Sequence, residues 1–558
     1  MENINSWNDI RWVTVEEKIF RLQLRIYKAA MNKELEKMYK IQRLLISSKF
    51  AKYLSVKRVA QENTGKRTPG VDNKTISTAK EKFALANQLT LNGKRRSLGI
   101  PTIEDRAKQM LAYLALCPQW ESQFEGSIYG FRPGRSTLDA VEAVFLGISK
   151  KPKWVLEANI LKCFDKINHN YLLNKCNTFP EMQRQIRAWL KAGILDGGNF
   201  TLPEMGTPQG GIIPPLLANI ALHGLRESID IYINSLGGHR PNNRQAFTYV
   251  RYADDFVFMH PERKTLENSI AVVQEFLEPI GLKLHPTKTR VVHTLDLLDG
   301  TPPGFTFLGF DIVQKKLRIR QRNIKSLRRS KSSQTFMTFI RPSKEGIKRH
   351  KQKLREIIRS SRGNSQERLI QKLNPVIRGW ALLKRTQISS KIFQALDQYV
   401  YKHLWKWARK RHPKMSGYKL KDKYWYKVKK NNWTFGVANK KNKISLQLQK
   451  HSKIRIKRYA KVKGLASPFD GNQIYWAKRT GKNPMIPPIK ATLIQEQNGY
   501  CNICKQPFVP DDIIERDHII PKALGGKNIR SNVQAVHRYC HQEKTKKEMR
   551  QIRRLNRK

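Results

Sequence analysis

Apolar residues recur at helical spacing from residue 15 to 60, with Ile19, Leu22, Leu24 and Ile26, then Leu35, Met38, Ile41 and Leu45, as candidate core positions. The run Gly-Lys-Arg-Thr-Pro-Gly-Val-Asp (65–72) breaks that pattern as a loop. From about 85 to 312 short strand-like runs alternate with helical ones. Trp154–Ile160 and Phe247–Met259 read as strands and Leu266–Leu277 as a helix, with Gly281 and Pro286 punctuating its end. This pattern predicts a mixed α+β core.

Beyond residue 312 the texture changes. Residues 343–361 and 388–409 read as basic helices, the second with Ile392, Phe393, Leu396, Tyr399, Val400, Leu404 and Trp407 as a buried stripe. Ile444, Leu446 and Leu448, then Ile454 and Ile456, alternate as strands do, with basic residues between them. Such a strand pair offers one cationic face to a nucleic-acid backbone. Residues 481–488 (Gly-Lys-Asn-Pro-Met-Ile-Pro-Pro) read as a linker to a small terminal module.

Charge sharpens this picture. Lys and Arg number 107 against 44 Asp and Glu, a formal charge of +63 over 558 residues. From Lys423 to Phe469 there are fourteen Lys and Arg and no acid at all. A solvated basic face does not account for that, whereas a polyanion does, because Lys and Arg release counterions from phosphates. An acidic membrane surface is the alternative; no apolar run suits a span, and the cations are spread over hundreds of positions. Residues 1–9 carry neither a basic nor an apolar signal region, so the expected location is cytoplasmic or organellar, not secreted. Cys117, Cys163 and Cys176 are scattered while Cys501, Cys504 and Cys540 crowd the C-terminal end, the pattern of a reducing compartment with a local metal site.

Within Tyr-Val-Arg-Tyr-Ala-Asp-Asp-Phe-Val-Phe (249–258), Asp254 and Asp255 stand side by side among β-formers. Adjacent acids repel and weaken an ordinary strand. Alone the pair fits a cap, a salt-bridge partner or a metal site. Its surroundings, Tyr-Ala-Asp-Asp, are more specific. Further stretches keep the same order: Leu-Gly-Ile-Pro-Thr-Ile-Glu-Asp-Arg-Ala (98–107), Tyr-Gly-Phe-Arg-Pro-Gly-Arg-Ser-Thr (129–137), Gly-Thr-Pro-Gln-Gly-Gly (206–211), Phe-Leu-Gly-Phe (307–310) and Leu-Asn-Pro-Val-Ile-Arg-Gly-Trp (373–380). With these the chain resembles the group II intron-encoded proteins, the reverse transcriptase–maturase family, over nearly its whole length.

The resemblance implies an α+β multidomain protein, a right-hand polymerase of fingers and palm with an α-helical thumb, a basic DNA-binding region and a small ββα-metal module. The implied division is 1–85 for an N-terminal extension and first fingers motif, and 86–315 for fingers and palm. Residues 316–410 would form the thumb, 411–488 the basic region and 489–558 an HNH endonuclease. Nucleotide addition in such a fold uses two Mg²⁺ ions about 4 Å apart, held by carboxylates. The resemblance gives that role to Asp254, with Asp255 beside it, Gln209 to the nucleotide pocket, Phe164 to the sugar, Arg96 to the triphosphate and Lys288 to a later palm motif. The family's facing Asp is here Asn159, in Glu-Ala-Asn-Ile-Leu-Lys-Cys-Phe-Asp (157–165). A neutral amide binds Mg²⁺ less well. Glu157 shares the strand face but lies two rises, about 7 Å, away, and Asp165 follows the sugar-contacting Phe with its own place. Polymerisation is therefore expected to be severely reduced. Ser97, where relatives often carry Pro, and Pro214, where Ser is usual, depart less.

Residues 501–545 hold Cys-Asn-Ile-Cys, Glu-Arg-Asp-His-Ile-Ile-Pro, Ser-Asn-Val-Gln and His-Arg-Tyr-Cys-His, which resembles an HNH nuclease. Cys501 and Cys504 are then thiolate ligands suited to a structural Zn²⁺, and His537 and Cys540 could complete a tetrahedral site. His518 is the implied general base, Asp517 and His541 the holders of one divalent ion, and Asn532 either orients His518 or braces its loop. A zinc knuckle that only binds nucleic acid would need neither the Asp-His pair nor the second His. The implied partners are the group II intron RNA and a target DNA. The alternative is a maturase that binds RNA without catalysis. A defence-associated or diversity-generating reverse transcriptase fits less well, given the Arg-Gly-Trp motif and the HNH-like tail.

Overall fold

The computed structural model describes residues 4–93, 101–192, 194–196, 199–201, 205–206, 210–297, 300–317, 335–428, 431–438, 444–510 and 512–555. The first amphipathic stretch folds as α1 (Trp12–Met31), α2 (Leu35–Ser47) and α3 (Lys49–Lys57). Ile19, Ile26, Met38, Ile41 and Leu45 are buried as their spacing predicts, and Leu22 and Leu24 are half-buried. Leu35 departs from expectation. It is the first residue of α2, ahead of the turn where the stripe meets the core, and is exposed. These helices pack on α4 (Ile103–Glu121), which is buried on nearly every side and starts on Thr102, whose side chain accepts from the Asp105 amide.

The central sheet follows α5 (Thr137–Ile148) and contains β1 (Trp154–Asn159), β2 (Thr248–Tyr252), β3 (Asp255–His260) and, after α6 (Arg263–Leu277), β4 (Arg290–His293). Its order is β2-β3-β1-β4, antiparallel throughout. Leu156, Ala158, Phe256 and Phe258 share one core with Leu266, Val273 and Leu277 of α6. Val155, Val250, Val257 and Met259 share another with Leu138, Val141 and Val144 of α5. Both faces are covered, so β3 reads as a continuous apolar run rather than an alternating one. The stretch 247–259 is thus not one strand but a hairpin, with the paired acids at its turn.

A second sheet, β5 (Phe305–Phe307), β6 (Phe310–Lys316) and β7 (Phe336–Pro342), joins the same core through Phe310, Ile312 and Ile340 and straddles the expected boundary at 315. Helices α7 (Lys344–Ser360), α8 (Gln366–Lys384) and α9 (Ser390–Arg411) follow. In α9, Phe393, Leu396, Val400, Leu404 and Trp407 are buried, with Ile392 and Tyr399 at the edge of the stripe.

The basic stretch has no core of its own. Strands β8 (Trp425–Val428), β9 (Asn431–Ala438) and β10 (Ile444–Gln447) place Trp425 and Phe435 in the core of α7–α9. The strand expected at Ile454 and Ile456 is absent. Asp397 of α9 accepts from the His451 and Ser452 amides and the Ser452 hydroxyl, and this cap turns the chain through a 3₁₀ turn at His451–Lys453. Residues 459–479 then strap across the start of α5. Fully buried Asp139 accepts from the Val462 amide (2.7 Å), Arg479 (2.6 Å) and the Tyr459 hydroxyl (2.8 Å), while Arg135 donates to the Gly464 and Ala466 carbonyls. Arg132 meets Glu121 with both carboxylate oxygens engaged. The 129–137 motif is therefore the socket for the strap. The expected linker is a tight turn instead: α10 (Gln473–Lys482) and α11 (Pro488–Glu496) pack together, a Cβ at Gly481 standing 3.1 Å from Ile494 and Gln495.

The terminal module is β11 (Ile514–His518), β12 (Val533–His537) and α12 (Arg538–Leu555). It docks on α1: the Trp12 amide donates to Glu543 (3.1 Å), and buried Lys57 pairs with Glu16 (3.1 Å) and lies over the Trp12 and Tyr539 rings.

Candidate functional site

The hairpin turn carries Asp254 at its tip and Asp255 as the first residue of β3. Ala253 takes a left-handed φ of 58°, a strained value for a residue with a Cβ. Gly130 allows this turn its position, since an added Cβ would stand 2.4 Å from the Ala253 amide nitrogen. Strand register sets Asn159 directly opposite Asp255, and Asn159 Nδ2 donates to Asp255 Oδ1 at 2.5 Å. The amide thus turns an N–H, not an oxygen, toward the carboxylate. Burial pushes the Asp255 carboxyl above its usual range and the Asp254 charge adds to this, while the Asn159 bond and Lys288 oppose it. Lys288 is exposed within reach of that field, and its loop is tied back by the His285 amide donating to the Asn159 carbonyl (2.8 Å). Burial, reinforced by the Asp254 charge, pushes the Cys163 thiol up to about 12, so it is no nucleophile.

Phe164 packs edge-on to Phe131 (6.3 Å), whose ring also meets Tyr252 beside the acids. Glu157 is engaged elsewhere, pairing with Arg290 (2.5 Å) and accepting from the Thr306 amide (3.2 Å). It is therefore no replacement for the missing acid. The site holds two carboxylates and one inward-donating amide, a set that fits the pair of divalent ions poorly. Arg96, Ser97 and Gln209 lie outside the described residues.

In the terminal module, Cys501, Cys504, His537 and Cys540 bring ligand atoms within 4.8 Å of one another. Hydrogen bonds from Cys504 and Cys540 pull the Cys501 thiol far down. Burial disfavours a charged His537, but bonds to Asp512, Cys501 and Cys504 outweigh it and push the imidazole up to about 12. Three sulfurs and one imidazole converging at this spacing form a donor set suited to a tetrahedral cation. Asp512 holds the other ring nitrogen of His537 (3.1 Å), the outer-shell contact that fixes a ligating imidazole.

The acid and histidine of the second cluster also meet. His541 Nε2 lies 3.5 Å from Asp517 Oδ1, and its Nδ1 is held by Glu515 at 2.7 Å. Asp517 Oδ1 and His541 Nε2 thus face each other across a short gap. Gln534 and Lys544 also bind Asp517 (2.9 and 2.7 Å). Of the two roles expected for Asn532, the loop brace is the one formed: it accepts from the Ile520 amide and donates to the Ile520 and Lys527 carbonyls. His518 instead meets Asn528 (3.2 Å). Gly526 completes the loop, as a Cβ there would stand 1.9 Å from the Ile520 oxygen. Sequence reading missed Glu515 and Asn528. Period-two spacing from Asp517 was the available signal for Glu515; nothing local marked Asn528.

Between strap and module runs a trough of about 720 Å³ lined by Lys457, Arg458, Lys461, Lys463, Lys478 and Lys482. These six make no ion pair among the described residues, so the trough is strongly electropositive, with Glu142 near Arg458 and Lys461 and with Asp512 on its wall.

Residues 79–312 match the family model of the reverse transcriptase (RNA-dependent DNA polymerase), and residues 7–89 that of the N-terminal domain of reverse transcriptase. Residues 347–425 match the group II intron maturase-specific domain and 501–547 the HNH endonuclease. Protein YkfC of Escherichia coli (strain K12) is 30% identical over 356 residues, covering 54% of this chain and 91% of YkfC. The group II intron-encoded protein LtrA of Lactococcus lactis subsp. cremoris is 29% identical over 271 residues, 48% of this chain and 40% of LtrA. Maturase-like protein 1 of Euglena gracilis is 25% identical over 329 residues, 55% of this chain and 65% of that protein. The chain thus spans most of YkfC but under half the length of LtrA.

Proposed function

Because this chain belongs to the group II intron-encoded reverse transcriptase–maturase family and ends in an HNH endonuclease region, we propose that it is the protein half of a ribonucleoprotein. It binds its intron RNA to assist splicing and supports insertion of that RNA into a target DNA. The fingers, the thumb helices and the basic surface clasp RNA; the strap and its trough take target DNA; the terminal module cuts the second strand. No helix among the described residues is long and apolar enough to cross a membrane, and a cytoplasmic or organellar place where intron RNA is made suits this role.

The observation that carries the reading is the coexistence of two carboxylate sites with a surface charge of this size. In the palm, Asp254 and Asp255 are the residues for Mg²⁺, with Phe164 beneath the sugar, Lys288 near the acids, and Arg96 and Gln209 in the nucleotide pocket. Asn159 withholds the third carboxylate, so we place polymerase activity far below that of an intact site. This favours, for the palm alone, the second reading of RNA binding without synthesis.

In the module, Cys501, Cys504, His537 and Cys540 would hold a structural Zn²⁺, and Asp517 and His541 would hold a Mg²⁺ whose charge would serve the scissile phosphate. His518 draws the proton from the attacking water, and Asn532 keeps its loop in place. The test uses the RNA of the intron enclosing this reading frame. The protein should accelerate excision of that RNA, and the complex should cut both strands of a target duplex. His518→Ala should abolish second-strand cleavage and leave splicing intact. Unassisted splicing, or cleavage unaffected by the substitution, would refute the assignment.

A further inference from the structure

On the seam between α9 and the basic sheet, four rings from three elements converge. Tyr401 and Trp405, one turn apart on α9, meet Trp425 of β8 and Trp433 of β9. All six centroid pairs lie between 5.2 and 6.4 Å. Trp425 is the buried base of the group, packed on Phe435 and Tyr424. Above it Tyr401 is 37% and Trp433 42% exposed, and Trp405 is half-buried. The thumb core does not need these outer faces, since Trp407, Tyr424 and Phe435 already fill it.

Charge identifies what would cover them. Arg409 stands one turn beyond Trp405 on the same face of α9, Lys402 and Lys406 follow the two α9 rings in sequence, and Lys427 follows Trp425 by two residues. All four are exposed and form no ion pair among the described residues. Asp422 is the sole acid from Gln398 to Phe469, and Lys421 neutralises it at 3.0 Å. An apolar protein partner gains nothing from such a border. A phosphodiester strand with unpaired bases gains twice, from phosphates on the cations and from base faces on the rings. A duplex offers no base face along its length.

We propose that Tyr401, Trp405 and Trp433 form a stacking platform for unpaired nucleobases of a single-stranded nucleic acid. The proposal rests on the reading that the basic segment holds nucleic acid, and adds that it reads strandedness there. Unpaired RNA and unpaired DNA share the chemistry.

The test measures binding of the full chain to labelled strands of roughly a dozen nucleotides by fluorescence anisotropy: RNA, DNA, the same lengths with abasic sites, and a duplex. The wild-type protein should bind base-bearing strands about tenfold more tightly than abasic ones. The double variant Tyr401→Ala/Trp433→Ala should erase that ratio while leaving duplex binding and the slope of log affinity against log salt unchanged. Trp433→Phe, which keeps a ring and packs conservatively, should retain most of it. A ratio seen with RNA alone assigns the platform to RNA, with DNA alone to a displaced DNA strand, and with both to either; each supports it. Equal binding of abasic strands, an equal loss on the duplex, or a variant-dependent change of oligomeric state in sedimentation overturns it. Retained duplex binding without base dependence sinks only the platform. Absence of binding to every probe sinks the reading of the basic segment as well.

Discussion

Asn159 and Asp255 face each other across the adjoining ends of β1 and β3, joined by an amide-to-carboxylate hydrogen bond of 2.5 Å. The bond occupies the carboxylate that a metal would need. Asn159→Asp replaces it with like charges in register, which without metal should lower stability by about 1 kcal/mol. Magnesium should restore the melting temperature of that variant more than that of the wild type. Primer extension on an RNA template should rise at least about tenfold with the third carboxylate. Equal synthesis by both proteins would mean that the amide does not limit the site.

Cys504 is the least buried of the four clustered ligands, and its Sγ lies 3.4 Å from His537 Nδ1. Cys504→Ser should reduce bound zinc, measured by elemental analysis, to well below one per chain. It should also destabilise the terminal module by about 3 kcal/mol or more, seen as an early melting transition. Chelation of the wild type should reproduce that transition. A fully folded module without metal would make the cluster a packing feature only.

Glu515 holds His541 through Nδ1 and also pairs with Arg538 (2.7 Å). Glu515→Gln should lower second-strand cleavage and Mn²⁺ affinity together by roughly 10–100-fold, with module melting nearly unchanged. Loss of cleavage at unchanged Mn²⁺ affinity would separate Glu515 from the metal.

His350 stacks on Trp380 (4.5 Å) and meets His451 ring to ring through Nε2 atoms 3.0 Å apart, with Asp397 holding the far side of His451 at 2.9 Å. Burial, with the His451 ring and Lys353 adding to it, pushes His350 down to about 3. An unfolded imidazole titrates near 6.5. Between those values the unfolded chain binds a proton that the folded chain refuses, so stability falls as pH drops, by up to about 1.4 kcal/mol per unit. Burial alone would raise the Asp397 carboxyl, but bonds from His451 and Ser452 hold it below its usual range. Its contribution is present above that range and is lost on further acidification. Urea midpoints of the wild type should therefore decline from pH 6.5 to 5, and His350→Phe, which keeps the stack, should flatten the decline. Parallel curves would exclude His350 as the source.

The palm and the metal cluster were legible because each is coded locally. The run around Asp254 and Asp255 marked covered β-structure with acids in it, though not the turn between its two strands, and Cys-x-x-Cys with a later His and Cys marked the four residues that converge. The strap was not legible. Asp139 reads as an ordinary acid near a helix start, and Val462, Tyr459 and Arg479 lie more than 300 residues away. Ile454 and Ile456 alternate like a strand, and only the cap from Asp397 cancels that pattern.

By itself the sequence determined the family, the order of its matched regions and a large excess of positive charge, and it marked the acids and the Cys/His set as candidates, because spacing and charge are properties of neighbours along the chain. Tertiary structure alone decided that Asn159 bonds Asp255, that Glu157 is engaged by Arg290, that the basic stretch shares the thumb core, and that four rings from three elements meet. Those contacts join residues far apart in the chain, and their geometry is fixed only when both partners lose water to the same packed interior.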